Sequence, residues 1–206
     1  IIVLGTALSD GTERTIEVAF QRERREDVAI RIAHPRPLPT VRDFFTLPGV
    51  VRAEPFRSVP ARVTGAGHRQ DVVLLGLPAG GALRHVVDSA YRERPPVREG
   101  ITMTRWLAKR LGLQRGDLAA IEIRENQRRI VTARVIEIVD EPLFNTVYVE
   151  LGALGRMLGE PETYSGVTLA IDGTRDRELY SALKRLPVAS SVDLRRAAIA
   201  NFRKTS

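Results

Sequence analysis

Arg115-Gly116-Asp117 spells an adhesion tripeptide, and Gly65-Ala66-Gly67 and Gly80-Gly81 have the small-residue content of a phosphate-binding turn. His34, His68 and His85 are the side chains able to hold a metal or move a proton near neutral pH. Context removes each reading. Gly116-Asp117 follows an apolar stretch ending at Leu113, where glycine permits a positive φ and aspartate bonds its own backbone, so it reads as a helix-to-strand turn. Neither glycine cluster has the strand-to-helix setting or the GK[ST] ending of a phosphate cradle, so both read as turns. The histidines stand singly, without HExxH or paired acidic spacing, and read as surface or packed residues. Ser89, Ser165, Asp71, Asp88 and Asp172 offer no nucleophile elbow and no third partner. The chain has no cysteine, which excludes disulfides, thiolate metal sites and Cys nucleophiles. The reading is therefore of a non-enzyme: no catalytic residue, no cofactor and no metal.

A chain of 206 residues that is 43% hydrophobic can bury a real core and lies near the boundary between one large domain and two small ones. Aromatics are only 5%, so that core is built from Val, Ile, Leu and Ala. The formal net charge of +7 comes mainly from arginine, since Lys109, Lys184 and Lys204 are the only lysines. Such a balance suits nucleic acid, an anionic membrane surface or an acidic ligand, and selects none of them. The opening Ile1 to Leu8 is far shorter than the roughly 20 residues that cross a bilayer. It also lacks a basic n-region and an initiating Met, so the start reads as the middle of something longer. Two readings of it stand: the outer end of a membrane helix, or a buried first strand.

Thr12 to Arg25 carries Ile16, Ala19 and Phe20 at helical spacing and predicts an amphipathic helix ending in a basic cluster. Val28, Ile30 and Ile32 alternate as a half-buried strand, with His34-Pro35-Arg36-Pro37 expected to stop it. A helix from about Leu38 to Leu47, closed by Pro48-Gly49, and a strand from Val50 follow. The pattern recurs without a gap near the other end. Val28, Ile30 and Ile32 match Val167, Leu169 and Ile171; Phe44 matches Leu183; Leu47-Pro48 matches Leu186-Pro187. Each copy reads strand, helix, strand, either by internal duplication or by the ease with which apolar periodicity repeats, and two such βαβ units commonly share a sheet. Between them, Arg52 to Arg62 and Gln70 to Leu77 predict strands around Gly65-Ala66-Gly67-His68. After Pro95-Pro96, Thr104 caps a helix to Leu111, Gly112 ends it, and Leu118 to Arg124 pairs with Arg129 to Val139 as a hairpin. A strand at Asn145 to Val149 and a short helix at Leu151 to Leu158 complete a β-rich segment, about 97 to 160, inserted into the βαβ-containing part.

Leu47-Pro48-Gly49-Val50-Val51-Arg52-Ala53-Glu54-Pro55 resembles the "lpGV..vEp" segment of the extracytoplasmic domains of FtsX-like, MacB-type ABC transporter permeases. Gly100-Ile101-Thr102-Met103-Thr104, then Leu107-Ala108, Leu111-Gly112-Leu113 and Gly116-Asp117, resembles the family's "Gi.ls..LA..LGl..GD" signature. Leu75-Gly76-Leu77, Val147-Tyr148-Val149, Ser165-Gly166-Val167 and Ile171-Asp172 resemble further landmarks in the same order, over about residues 20 to 200. The motifs are short; their order and spacing carry the resemblance.

The resemblance implies an α+β fold in which a Porter-like subdomain of two βαβ units (ferredoxin-like), 26–96 with 161–206, holds an inserted β-rich Sabre-like subdomain, 97–160, behind a membrane-proximal helix, 1–25. It implies a non-catalytic module at the bacterial inner membrane, facing the periplasm or cell exterior, that couples ATP-driven movement of transmembrane helices to a substrate or partner outside. No Walker sequence is present, so ATP would be hydrolysed by a separate subunit or domain. The implied partners are that ABC ATPase through the rest of the permease, a second protomer or second extracytoplasmic domain, and an envelope component; nucleic acid is not among them, although a basic nucleic-acid-binding domain is the rival reading of the charge. Arg22, Arg24, Arg25, Arg195 and Arg196 would then lie against anionic headgroups, or else form a solvated charged face.

Overall fold

The computed structural model describes residues 25–87, 92–125, 128–140, 145–172 and 174–194. The helix expected over Thr12 to Arg25 lies outside them, Arg25 excepted. Eleven strands are described: β1 (Val28–Pro37), β2 (Val50–Gly65), β3 (His68–Leu77), β4 (Val86–Val87), β5 (Glu93–Arg94), β6 (Ile101–Thr104), β7 (Leu118–Ile123), β8 (Arg129–Val139), β9 (Thr146–Glu150), β10 (Thr163–Ile171) and β11 (Ala189–Leu194). With them stand a 3₁₀ helix (Leu38–Thr46) and the helices α1 (Arg105–Leu111), α2 (Leu151–Leu158) and α3 (Asp176–Lys184). The fold is α+β with a mixed sheet.

The first four-strand group runs β11-β1-β10-β2, every neighbour antiparallel, so that the two strands of each strand–helix–strand unit are separated by a strand of the other. The registers show how closely the two units correspond. Val28 faces Leu194 as Val167 faces Pro55, Ile30 faces Val192 as Leu169 faces Ala53, and Ile32 faces Ala189 as Ile171 faces Val50. Even the register breaks, at Arg31/Ile32 and Ala170/Ile171, fall at equivalent positions. The spacing read from the sequence thus reflects a two-fold arrangement of pairing, which apolar periodicity alone does not produce.

One expectation changes, and the type of one helix is settled. β1 continues to Pro37 through the residues expected to stop it, after a register shift between Arg31 and Arg36. Its pairing with β11 has ended at Ile32, so the prolines border an edge with no partner to receive an N–H. The helix after it is 3₁₀ from end to end. Leu38, Val41, Phe44 and Leu47 recur every third residue, all packed against the core under the four-strand sheet, and only a three-residue turn keeps that stripe on one face.

β2 is long enough to serve both halves. Val50 to Phe56 pair with β10, while Arg57 to Gly65 pair with β3 and Ala61 to Thr64 also pair with β7. That last pairing closes a ring, β2-β3-β9-β6-β8-β7, a six-stranded barrel filled by Val59, Val63, Leu74, Met103, Ile121 and Val147 among others. Strands β2 and β3 therefore complete a core whose other members come from 101–158. Leu107, Ala108 and Leu111 of α1 and Ala153 and Leu154 of α2 pack into it. The other core lies between the four-strand sheet, the 3₁₀ helix and α3.

Local chemistry accounts for the barrel's turns. Thr104 Oγ1 accepts the Leu107 N–H at 3.2 Å and Gly112 ends α1 at φ +62, as its sequence predicts. Gly116, at φ +99, donates its N–H to Val135 O at 2.7 Å, Asp117 O accepts from Val135 N at 2.9 Å, and Asp117 Oδ2 accepts from Gln114 N at 2.7 Å. The tripeptide is thus a structural turn that ties β7 to β8. Gly116→Ala forces a side chain into a conformation that L residues avoid, and about 1–2 kcal/mol of stability is expected to be lost in urea denaturation. An unchanged midpoint would remove the turn from the account.

Candidate functional site at the junction of two cores

β1 begins and β11 ends at the same end of the four-strand sheet, since Val28 faces Leu194. Asp27 belongs to that end as well: its N–H donates to Leu169 O at 2.9 Å and its Oδ2 accepts from Ile171 N at 3.0 Å. Val50, which faces Ile171, starts β2 there. At about 3.3 Å per residue, β2 carries Ala61 roughly 36 Å away into the barrel. The first and last described strands therefore begin and end side by side, with the barrel displaced along β2.

The loop between β3 and β4 docks on that entry end. Glu54 accepts the N–H groups of Ala82 and Leu83, at 2.8 and 3.0 Å, and Arg52 pairs with it at 3.1 Å. Arg25 donates its N–H to Leu83 O at 2.7 Å, and its guanidinium pairs with Glu93. Buried Glu26 pairs with Arg84 at 2.9 Å, and the Arg84 guanidinium lies 4.6 Å from the centre of the Phe56 ring. Of the arginines singled out for anionic contacts, Arg25 is half-exposed and held by Glu93; Arg22, Arg24, Arg195 and Arg196 lie outside the described residues.

Where β2 passes from one core to the other stands Arg57, 2% exposed. Its guanidinium meets Glu125 through two hydrogen bonds, at 2.7 and 3.3 Å, and Glu160 at 3.4 Å. Glu125 follows β7 and Glu160 follows α2, so three chain segments converge on one cation. A cleft of about 230 Å³ beside it is lined by Arg31, Ile32, Arg57, Ser58, Glu125 and Ser165 among others. It is smaller than most small-molecule sites and polar, with Ser165 Oγ already accepting the Ser58 N–H at 2.8 Å. The arrangement is suited to holding two packed bodies in register. It presents no nucleophile beside a base.

The other polar residues considered from sequence are dispersed. Asp71 is held by Arg62, at 2.7 Å, and by Arg124, at 3.3 Å, on the barrel surface. The Arg62 hydrogen bond holds its carboxyl below the usual carboxylate range. Thr174 does the same for Asp172 through its backbone N–H and its hydroxyl. His34 and His68 are exposed; His85 lies beside Ala82 O and Glu93. Ser89 and Asp88 lie outside the described residues, among which no group of three His, Cys, Asp or Glu could hold a metal. Sequence reading missed Arg57, Glu54 and Glu26. For Arg57 the signal was available: it falls in the alternation Arg57, Val59, Ala61, Val63, all buried.

No protein-family model matches the chain, and no curated protein does. Thirty solved chains do. The periplasmic region of MacB from Actinobacillus actinomycetemcomitans superposes with a TM-score of 0.55 at 10% identity, over 91% of this chain and 97% of that one. The extracellular domain of the noncanonic ABC-type transporter YknZ from Gram-positive bacteria gives 0.47 at 12% identity, over 82% and 98%. A domain of a putative permease protein from Porphyromonas gingivalis gives 0.40 at 12%, over 78% and 80%. The fold comparison rests on the first. The chain has the fold of that periplasmic region over nearly its whole length, in agreement with the resemblance carried by Leu47 to Pro55 and Gly100 to Asp117.

Proposed function

We propose that this chain is the extracytoplasmic domain of an FtsX-like, MacB-type ABC transporter permease, non-catalytic itself, which passes ATP-driven movement of transmembrane helices to a substrate or partner outside the cytoplasm. The observation that carries the reading is the MacB-region fold over 91% of the chain. The adjacent entry and exit at Val28 and Leu194 fit a module tethered at one end. In this reading the four-strand half is the Porter-like, ferredoxin-like subdomain near the inner membrane. The six-stranded barrel is the Sabre-like half facing the periplasm or exterior, with the division falling inside β2. Arg22, Arg24, Arg25, Arg195 and Arg196 lie toward anionic headgroups, and the ATPase, a second protomer and an envelope component are the partners.

The test is topological. The chain contributes no cysteine, so a single Cys at exposed Arg128 can be labelled selectively in the full-length protein once any cysteine outside these residues is replaced. A membrane-impermeant maleimide is expected to label it in intact spheroplasts as fully as in lysed ones. Labelling only after lysis puts the domain in the cytoplasm and sinks the proposal. No helix among the described residues is long and apolar enough to cross a membrane, so the tethers must come from other segments.

A further inference from the structure

β1 comes away from its neighbours before it ends. It pairs with β10 up to Arg31, opposite Gly166, and again from Arg36, opposite Tyr164, so that Ile32 to Pro35 on one strand stand against Ser165 alone on the other. Its pairing with β11 stops at Ile32. A bulge of this kind bends the strand and re-aims its side chains, and bulges are over-represented beside functional sites. Here the split meets the cleft beside Arg57, which is bounded by Ile32, Ala33 and Pro35 on the β1 side and by Ser165 on the β10 side.

The cleft is rich in donors and short of acceptors. Arg57 lines it and is 2% exposed, and its Nε–H meets no acceptor in the protein, although its other nitrogens hold Glu125 and Glu160. A buried donor left without a partner is costly, so an acceptor from outside the protein is favoured there. Exposed Arg31 lines the same cleft and has no ion-pair partner among the described residues. Ser165 Oγ accepts the Ser58 N–H, which leaves the hydroxyl hydrogen to give. Glu125, the carboxylate among the described lining residues, already has both oxygens on Arg57. Two cations against one carboxylate leave a single positive charge, which suits a monoanion; a dianion such as phosphate would also meet Glu125 and, behind Arg57, Glu160.

We propose that this cleft binds the carboxylate of a small aliphatic acid. Its oxygens take the Arg31 guanidinium, the Ser165 hydroxyl and the Arg57 Nε–H, and its hydrocarbon part lies against Ile32, Ala33 and Pro35. The volume, about 230 Å³, is below that of drug-sized sites and suits an acid of a few carbons. Arg31 and Ser165 belong to the four-strand sheet, whereas Glu125 follows β7 of the barrel, so the ligand sits on the seam between the two cores. The proposal does not depend on the transporter reading, since nothing in it turns on which side of a membrane the domain faces.

The 206-residue chain would be titrated with isovalerate, with isovaleramide and with inorganic phosphate at constant ionic strength, and followed by nuclear magnetic resonance. The signals to watch are the backbone amides of Ala33 and Ser165 and the arginine Nε–H that disappears in Arg57→Met. Isovalerate should shift all three saturably and with one dissociation constant. The amide has the same shape without the charge, and it should bind about tenfold more weakly or less, as should phosphate. Arg31→Gln, at an exposed position, should weaken isovalerate binding about tenfold or more while the melting temperature of the free protein stays unchanged. Absence of a saturable shift with isovalerate overturns the proposal, and so does equal binding of the amide, tighter binding of phosphate, or undiminished binding in Arg31→Gln. The ligand comparison needs only the parent protein, so it stands even if a variant folds poorly. None of these outcomes touches the labelling test at Arg128, and failure of that test leaves the cleft as it is.

Discussion

Leu107→Asp and Leu111→Asp should each unfold the barrel half. Both residues are fully buried, on the one face of α1 that enters the ring of strands, among Ile101, Met103, Val72 and Leu74. Nothing cationic is buried with them: Lys109 and Arg110, the nearest basic residues in sequence, face the opposite way. An introduced carboxylate must stay charged in a dry cavity, take up a proton, or pull the helix out. Each course costs several kcal/mol, comparable to the whole stability of a small domain. The helix cannot swing away cheaply, because Thr104 and Gly112 fix both its ends and β6 leads directly into it. We expect at least about 4 kcal/mol lost in chemical denaturation, with Trp106 emission shifting to that of a fully hydrated indole. The neighbouring Trp106→Ser, on the exposed face, should cost little. An aspartate variant that melts with the parent protein would show that the buried face of α1 has been misassigned.

Much of this architecture is legible in the sequence because local chemistry and tertiary packing agree. Thr104 and Gly112 bound α1 with the cap and the left-handed residue that their types predict, and Gly116-Asp117 turns as expected. The two units were visible as a gapless match, and the match extends to every pairing and to the register break. The helix from Leu38 is legible in the sequence but its type is not, because Phe44 and Leu47 suit either; the decisive feature is the strict period of three through Leu38, Val41 and Phe44. Its counterpart α3 buries Leu179 and Leu183, four apart, and is α-helical. The barrel was not legible. Its closure depends on the β2–β7 pairing, which joins residues about sixty apart in sequence, from Thr64 with Ala120 to Ala61 with Ile123, through backbone hydrogen bonds that leave no composition signal. Glu125 and Glu160 stand 68 and 103 residues from Arg57, and each acid alone looks like a surface charge.

Removing both acids around Arg57 should damage the junction more than removing Arg57 itself. The guanidinium is 2% exposed, while Glu125 and Glu160 keep 24% and 28% of their side-chain surface. The burden of desolvation therefore falls on the cation, whose Nε already lacks a partner. Glu125→Gln with Glu160→Gln leaves a buried charge facing neutral amides, and about 3–5 kcal/mol should be lost. Arg57→Met fills much of the same volume with apolar atoms and leaves two carboxylates that water can reach, so about 1–2 kcal/mol is expected. In the triple variant no charge remains uncompensated, and stability should return close to the parent value, as when a buried ion cluster is replaced by apolar groups. The three sites share one network, so the effects must be strongly non-additive, and a cycle of urea denaturations measures the coupling. If Arg57→Met costs more than the double acid replacement, the seam is wetter than its burial indicates and the node is not what holds the halves. If the triple variant is as stable as the parent, Arg57 is not needed for stability and what it supplies is geometry: it pins Glu125, after β7, and Glu160, after α2, to the strand that runs through both cores.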